Sequence, residues 1–261
     1  MQILFIGDIV GKGGRQAVTK LVPQLCSSRE CDFVIANGEN MAGGGGMTQK
    51  CVTELHTGGV DVITGGDHMW DQKEFVEQVS DCSSVLRPMN VSDVQPGRGS
   101  GIFHDPQGRR VGVVCLQGTT FMNSMVNSPF ETADKVVRQL GGMSDYIIVD
   151  FHAEATSEKI AMGRFLDGRV SAVFGTHTHV PTADEQIFPG GTAYQTDVGM
   201  VGGRESILGR SIKPVLKKFS TGLPAKFDVV TNKIRMHASL VTLDEDSGKA
   251  LKVERITLDA S

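Results

Sequence analysis

The chain of 261 residues reads as an α/β protein, with a parallel or mixed sheet and helices packed outside it. Two observations predict this. Short apolar runs alternate with amphipathic stretches of helical length. Glycine clusters such as Gly43–Gly46 and Gly65-Gly66 fall just after the apolar runs, where loops belong.

Taken in order, Ile3–Ile6 is a first strand and residues 14–26 a helix. Phe33–Ala36 is a strand, followed by a glycine-rich loop and a helix over 48–57. Val60–Thr64 is a strand and 72–80 a helix. The pattern then changes. Ser100–His104 and Arg110–Leu116, separated by Asp105-Pro106-Gln107-Gly108-Arg109, read as a hairpin. A helix over 130–140 precedes the strand Tyr146–Asp150, and a helix over 156–166 precedes the strand Val170–Phe174. Later segments are mostly extended: 185–188, 193–196, 234–243 and 252–258, with a short helix over 213–219. This C-terminal part is expected to close a second sheet. No linker divides the chain, so residues 1–261 are expected to form one domain.

Composition narrows the function. A net charge of −4 gives no basic excess of the kind a general nucleic-acid binder carries. The five cysteines are odd in number and lack a C-x-x-C pair, which suits reduced thiols in a cytoplasmic protein. The N-terminal run has no basic flank and reaches Asp8 at once, so it reads as a strand rather than a targeting segment. No stretch approaches the roughly 18 apolar residues needed to span a membrane.

Ligands of parallel α/β sheets collect beyond the carboxyl ends of the strands. Here five strand ends carry polar groups: Asp8; Asn37, Glu39 and Asn40; Asp67 and His68; His152 and Glu154; His177 and His179. Each alone has a bland reading, as a helix cap, a loop residue or a satisfied core histidine. The full set at equivalent positions points to a shared metal site. His177 and His179 stand two apart after an apolar run, and in an extended chain residues i and i+2 point the same way. Other motifs fit worse. Gly7–Lys12 has three residues between its glycines where a phosphate loop has four, G-x-S-x-G is absent, and no cysteines stand at zinc spacing.

The ordered set Asp8, Glu39-Asn40, Asp67-His68, His152 and Gly175-Thr176-His177-Thr178-His179 resembles a calcineurin-type metallophosphoesterase of the YmdB-like branch. DFHAEATSEK and GTHTHVPTAD are its most specific stretches. The resemblance implies a four-layer α/β/β/α sandwich with two metals, iron or manganese, or alternatively zinc. Glu39 would bridge them. Asp8, Asn40 and His179 would complete one site, and Asp67, His152 and His177 the other. A hydroxide between the metals would attack phosphorus, and His68 would protonate the leaving oxygen. The implied activity is phosphodiester cleavage, on 2′,3′-cAMP or 3′,5′-cAMP types of cyclic nucleotide, by a homo-oligomer. A phosphomonoesterase on the same site and a regulatory protein with little catalysis are the alternatives. Aromatic residues are only 6% of the chain, so no stacking platform is evident. Trp70 reads first as a packing residue. Asn90 and the loop Gln117–Asn123 are candidates for substrate contact.

One departure stands out, since the resemblance predicts Asn where this chain has Asp67. With Asp, three carboxylates and a hydroxide balance two divalent cations; with Asn, one positive charge would remain. Asp67→Asn is therefore expected to move the acid limb of the pH–rate profile down and to tighten inhibition by inorganic phosphate. An unchanged profile with unchanged inhibition would contradict the charge argument.

Overall fold

A computed structural model describes residues 1–122 and 125–260. The first sheet is seeded by β1 (Gln2–Ile6), β3 (Phe33–Asn37), β4 (Val62–Thr64) and β5 (Val85–Leu86), each parallel to the next. Their outward residues, such as Leu4, Ile6, Val34 and Ala36, pack under α1 (Gly11–Arg29), α2 (Gln49–Thr57) and α3 (Lys73–Gln78). The alternate residues Ile3, Phe5, Phe33 and Ile35 point the other way, into a second core. Strands buried on both faces need helices on one side and another sheet on the other.

That other sheet is β6 (Ser100–His104), β7 (Arg110–Gln117), β8 (Tyr146–His152), β9 (Ala172–Thr176), β11 (Ala193–Gln195) and β10 (Gln186–Ile187), in that spatial order. Val111, Val113, Ile148 and Phe174 face the first sheet, with the rings of Phe5 and Phe174 5.1 Å apart. Val114, Leu116, Ile147 and Val149 face outward, under α4 (Pro129–Leu140) and α5 (Thr156–Phe165). The layers are therefore helix, sheet, sheet, helix, as the resemblance implied. A sixth helix, α6 (Ile212–Thr221), lies outside them and buries only Val215. Among the described residues no helix is long and apolar enough to cross a membrane.

Most predicted elements are present within a few residues, with three differences. The first helix starts at Gly11, earlier than expected, because Gly13 and Gly14 let it press onto the sheet. A Cβ on Gly14 would lie 2.5 Å from the carbonyl oxygen of Val201. The short strands β2 (Asp8–Ile9), β5 and β12 (Met200–Gly203) were not foreseen, since two to four residues show no period. The C-terminal part does not close the second sheet by itself. Only β10 and β11 join that sheet. The chain then returns, and β13 (Ile234–Leu243) pairs antiparallel with β1 and with β14 (Ala250–Ala260).

A buried ion pair secures the turn after β9. Lys159 on α5 donates to Asp197 at 2.7 Å and to the carbonyl of Thr176 at 2.7 Å, with both charged side chains 1% exposed. Asp197 also accepts from the backbone N–H and hydroxyl of Thr178 and from the N–H of Gly199. Removing one partner strands the other charge in a dry interior, which costs about 3–5 kcal/mol. Lys159→Ala should lose that amount in urea unfolding; a loss under about 1 kcal/mol would show that water reaches Asp197.

Candidate metal centre

The predicted residues meet where the carboxyl ends of the two sheets face each other. Glu39, Asp67, His152 and His177 form one group of donor atoms, and Asp8, Glu39 and His179 a second, so Glu39 belongs to both. In the first group His152 Nε2 lies 3.1 Å from Glu39, 3.1 Å from Asp67 Oδ1 and 3.0 Å from His177 Nδ1. In the second, His179 Nε2 lies 3.7 Å from Asp8 Oδ1. Asn40 joins this second group. Its amide donates to Glu39 Oε1 at 2.8 Å and stands 3.3 Å from His179 Nε2.

Each imidazole has one nitrogen committed away from the cluster. The Thr176 hydroxyl donates its single proton to Asp150 at 2.7 Å, so it must accept from His152 Nδ1, 2.9 Å away. His177 Nε2 is 3.2 Å from Glu154 Oε2, and His179 Nδ1 is 3.3 Å from the carbonyl of Leu208. An oxygen that only accepts assigns the proton to the nitrogen facing it. His152 and His179 therefore present Nε2 lone pairs inward, and His177 presents Nδ1. Three imidazole lone pairs and three carboxylates then converge, met by few donors: the Asn40 amide and the backbone N–H of His68 on Glu39, and the backbone N–H of His177 on Asp8.

The electrostatics register that mismatch. Burial alone would drive the His152 imidazole toward its neutral form, yet Glu39, Asp67 and Asp8 push its proton affinity well up. Burial raises the Glu39 carboxyl, but the charge and hydrogen bond of His152 outweigh it and hold it low. Burial also raises Asp67, and its bonds to His152 and His177 reverse the sign. Asp8 stays raised by burial, and its Oδ1 is buried with no hydrogen-bond partner.

The residues present fit a pair of metal ions. The orphaned Asp8 oxygen needs a cation. The donor set of carboxylates, imidazoles and one amide suits iron, manganese or zinc. Space is reserved too: a Cβ on Gly66 would collide with Glu39 Oε2 and His152 Nε2, so only glycine keeps the cradle open.

The two histidines after β9 do not converge by strand alternation, as the sequence suggested. The strand stops at Thr176, and His177 and His179 take left-handed φ values of 96° and 64°. Side chains other than glycine rarely tolerate this region, and surrounding bonds must enforce it. Those bonds are the His177 N–H to Asp8 at 3.1 Å and the Asp197 contacts to Thr178. The result sends one ring to each group.

The family model described as YmdB-like protein matches residues 4–256. The chain belongs to the YmdB-like family. A Bacillus subtilis (strain 168) relative named 2′,3′-cyclic-nucleotide 2′-phosphodiesterase is 44% identical over 259 residues, covering 99% of this chain and 97% of that one. A crystal structure from Thermus thermophilus, described as a hypothetical protein, aligns with a TM-score of 0.93 at 38% identity over 100% of both chains. One from Mycoplasma pneumoniae, described as a novel phosphatase, also aligns at 0.93, with 34% identity over 99% of this chain and 93% of that one.

In this YmdB-like protein His68 stands at the rim, half exposed, with Nδ1 3.0 Å from Asp71. Burial favours its neutral form, but Glu39, Asp67 and Asp71 raise its proton affinity. Trp70 packs against the first core and donates to Gln95, so it is a packing residue. Asn90 is buried, and its side chain faces the fold. Its amide donates to the carbonyls of Gln117 and Asn127 and its oxygen accepts from the N–H of Gln117, which ties off the side chain. No described residue of the loop 117–122 lines the cavity above the cluster, and Asn123 lies outside the described residues. A low aromatic count also misled: Phe219 and Phe227 line that cavity, since composition says nothing of placement.

Sequence reasoning counts Asn37 and Glu154 among the strand-end polar groups without a specific role, and assigns none to Thr64, Asp150, Thr176 or Lys159. Asp150 had a signal, a carboxylate inside an apolar strand, two residues before His152 and on its face. Burial pushes this carboxyl up to about 6. Thr176→Val keeps the shape but cuts the link between Asp150 and His152. Its metal affinity should fall about 10–100-fold in chelator competition, with Thr176→Ser restoring it. Full affinity in Thr176→Val would show that His152 needs no such partner.

Proposed function

We propose that the chain is a dinuclear metal-dependent phosphodiesterase acting on cyclic nucleotides of the 2′,3′ or 3′,5′ type. Its class, hydrolysis of phosphoric esters, follows from the family and its named relatives. The observation that carries the finer reading is the pair of ligand clusters sharing Glu39 on the floor of an open cavity. Asp8, Asn40, Glu39 and His179 would hold one ion, and Glu39, Asp67, His152 and His177 the other, iron or manganese with zinc as the alternative. When bound, the ions supply an acidic water and offset charge on the phosphoryl oxygens.

The chain's own residues do the rest. Thr176, Glu154 and the Leu208 carbonyl fix the imidazole tautomers, so ligand geometry is set before substrate arrives. His68, kept protonated with the help of Asp71, delivers its proton to the ester oxygen that leaves phosphorus, a step typically worth about 10²–10⁴-fold. Its position at the rim leaves it free to reach that oxygen. Residues 1–261 are read as one metallophosphoesterase domain, because the candidate ligands come from both sheets. Five free cysteines suit the cytoplasm, and a homo-oligomer is the expected assembly. A phosphomonoesterase on the same site is the second reading, favoured by the solved relative described as a phosphatase.

Metal-stripped protein is expected to hydrolyse bis(p-nitrophenyl) phosphate only after Mn²⁺, Fe²⁺ or Zn²⁺ is added back. Preference for p-nitrophenyl phosphate would favour the monoesterase. No turnover with any ion, in protein shown to be folded, would favour the regulatory alternative.

A further inference from the structure

The cavity over the cluster has two unlike walls. Glu39, Asn40, His177 and His179 make the polar floor. The lining also includes Ile207, Leu208, Val215, Phe219 and Phe227, and the guanidinium-bearing Arg210. The volume is about 410 Å³. A phosphoryl group needs only the polar end, so the apolar wall calls for something else. Phe219 is 79% exposed, and hydrocarbon left to water on a pocket wall marks a site of contact.

We propose that this wall, built by α6 and the segments on either side of it, holds the nucleobase of the diester; the inference rests on the phosphodiesterase reading above. Three features carry it. First, the wall offers two aromatic side chains, on which any base can stack. Second, Arg210 brings a guanidinium that donates to the carbonyl of Gly44. Among the described residues no carboxylate pairs with it, which leaves its other N–H groups for oxygen and nitrogen acceptors on a base edge. Third, the wall is tied to the reactive end, because the carbonyl of Leu208 accepts from His179 Nδ1. A base seated there lies beside the group that would hold the phosphate, so both ends of one nucleotide are gripped by a single bonded unit.

The test compares a nucleoside 2′,3′-cyclic phosphate with glycerol 1,2-cyclic phosphate, which keeps the strained diester and lacks the base. Wild-type enzyme should prefer the nucleotide in kcat/KM. Phe219→Ala should cut that preference about tenfold, mainly through KM, the size expected from one lost base–aromatic stack. Phe227→Ala should move it the same way. Equal losses on both substrates, or an unchanged preference in both variants, would overturn the proposal. So would a lost preference that tracks a fall in native mass, which would assign the face to a second copy of the chain. Wild-type hydrolysis of both substrates at equal kcat/KM would overturn this inference alone. Failure on both, and on a nucleoside 3′,5′-cyclic phosphate and bis(p-nitrophenyl) phosphate, would overturn the phosphodiesterase reading and this inference with it.

Discussion

The carboxylate of Asp150 is the point on which the two sheets agree. It sits on β8 of the second sheet, fully buried, and accepts from Thr64 on β4 and Asn37 on β3 of the first sheet. It also accepts from Thr176 on β9. The apolar interface between the sheets is large but slides easily in energy, since dispersion contacts are many and individually weak. A buried acid with three donors from two sheets has one good arrangement and a heavy penalty elsewhere. It therefore fixes how the strand ends face each other. Every candidate ligand is carried on those ends or just beyond them.

From that register the rest follows locally. The same carboxylate orients Thr176, which orients His152. Glu154 and Leu208 do the equivalent for His177 and His179 from solvent-side positions. The cluster is thus assembled with its lone pairs inward and its protons outward. Such an arrangement is unfavourable for the polypeptide alone, as the raised Asp8 and the strongly basic His152 record. The fold tolerates it because the surroundings are over-determined. Positive φ at two histidines persists only because Asp8, Asp197 and Lys159 hold the turn from three directions.

Much of this is legible in the sequence. The alternation of strands and helices leads to the α/β class, and the polar residue after each parallel strand to a shared site, because both follow from periods and positions. The four-layer architecture and the seven candidate ligands come from the resemblance. What stays hidden is what those rules do not encode. The strands at 8–9, 85–86 and 200–203 are set by their neighbours rather than by pattern. The return of residues 234–243 to β1 is a long-range pairing with no local sign. His177 and His179 read as extended because alternation is the default, whereas the turn is imposed by Lys159 and Asp197, about twenty positions away on either side, and by Asp8, 169 positions before His177. Thr176 stands inside the motif with no visible task, since a hydroxyl's role depends on what it faces. Phe219 and Phe227 are lost in an average.

The place of β13 has a consequence for the order of events during synthesis. It lies between β1 and β12 and pairs with β1 along Gln2–Ile6, the strand that leads directly to Asp8. Residues 234–243 leave the ribosome after His179 and every other candidate ligand has emerged. Until they arrive, β1 is open along one edge, and the backbone that aligns Asp8 lacks its neighbour. A nascent chain can therefore carry every candidate ligand before the strand that leads to Asp8 has its neighbour.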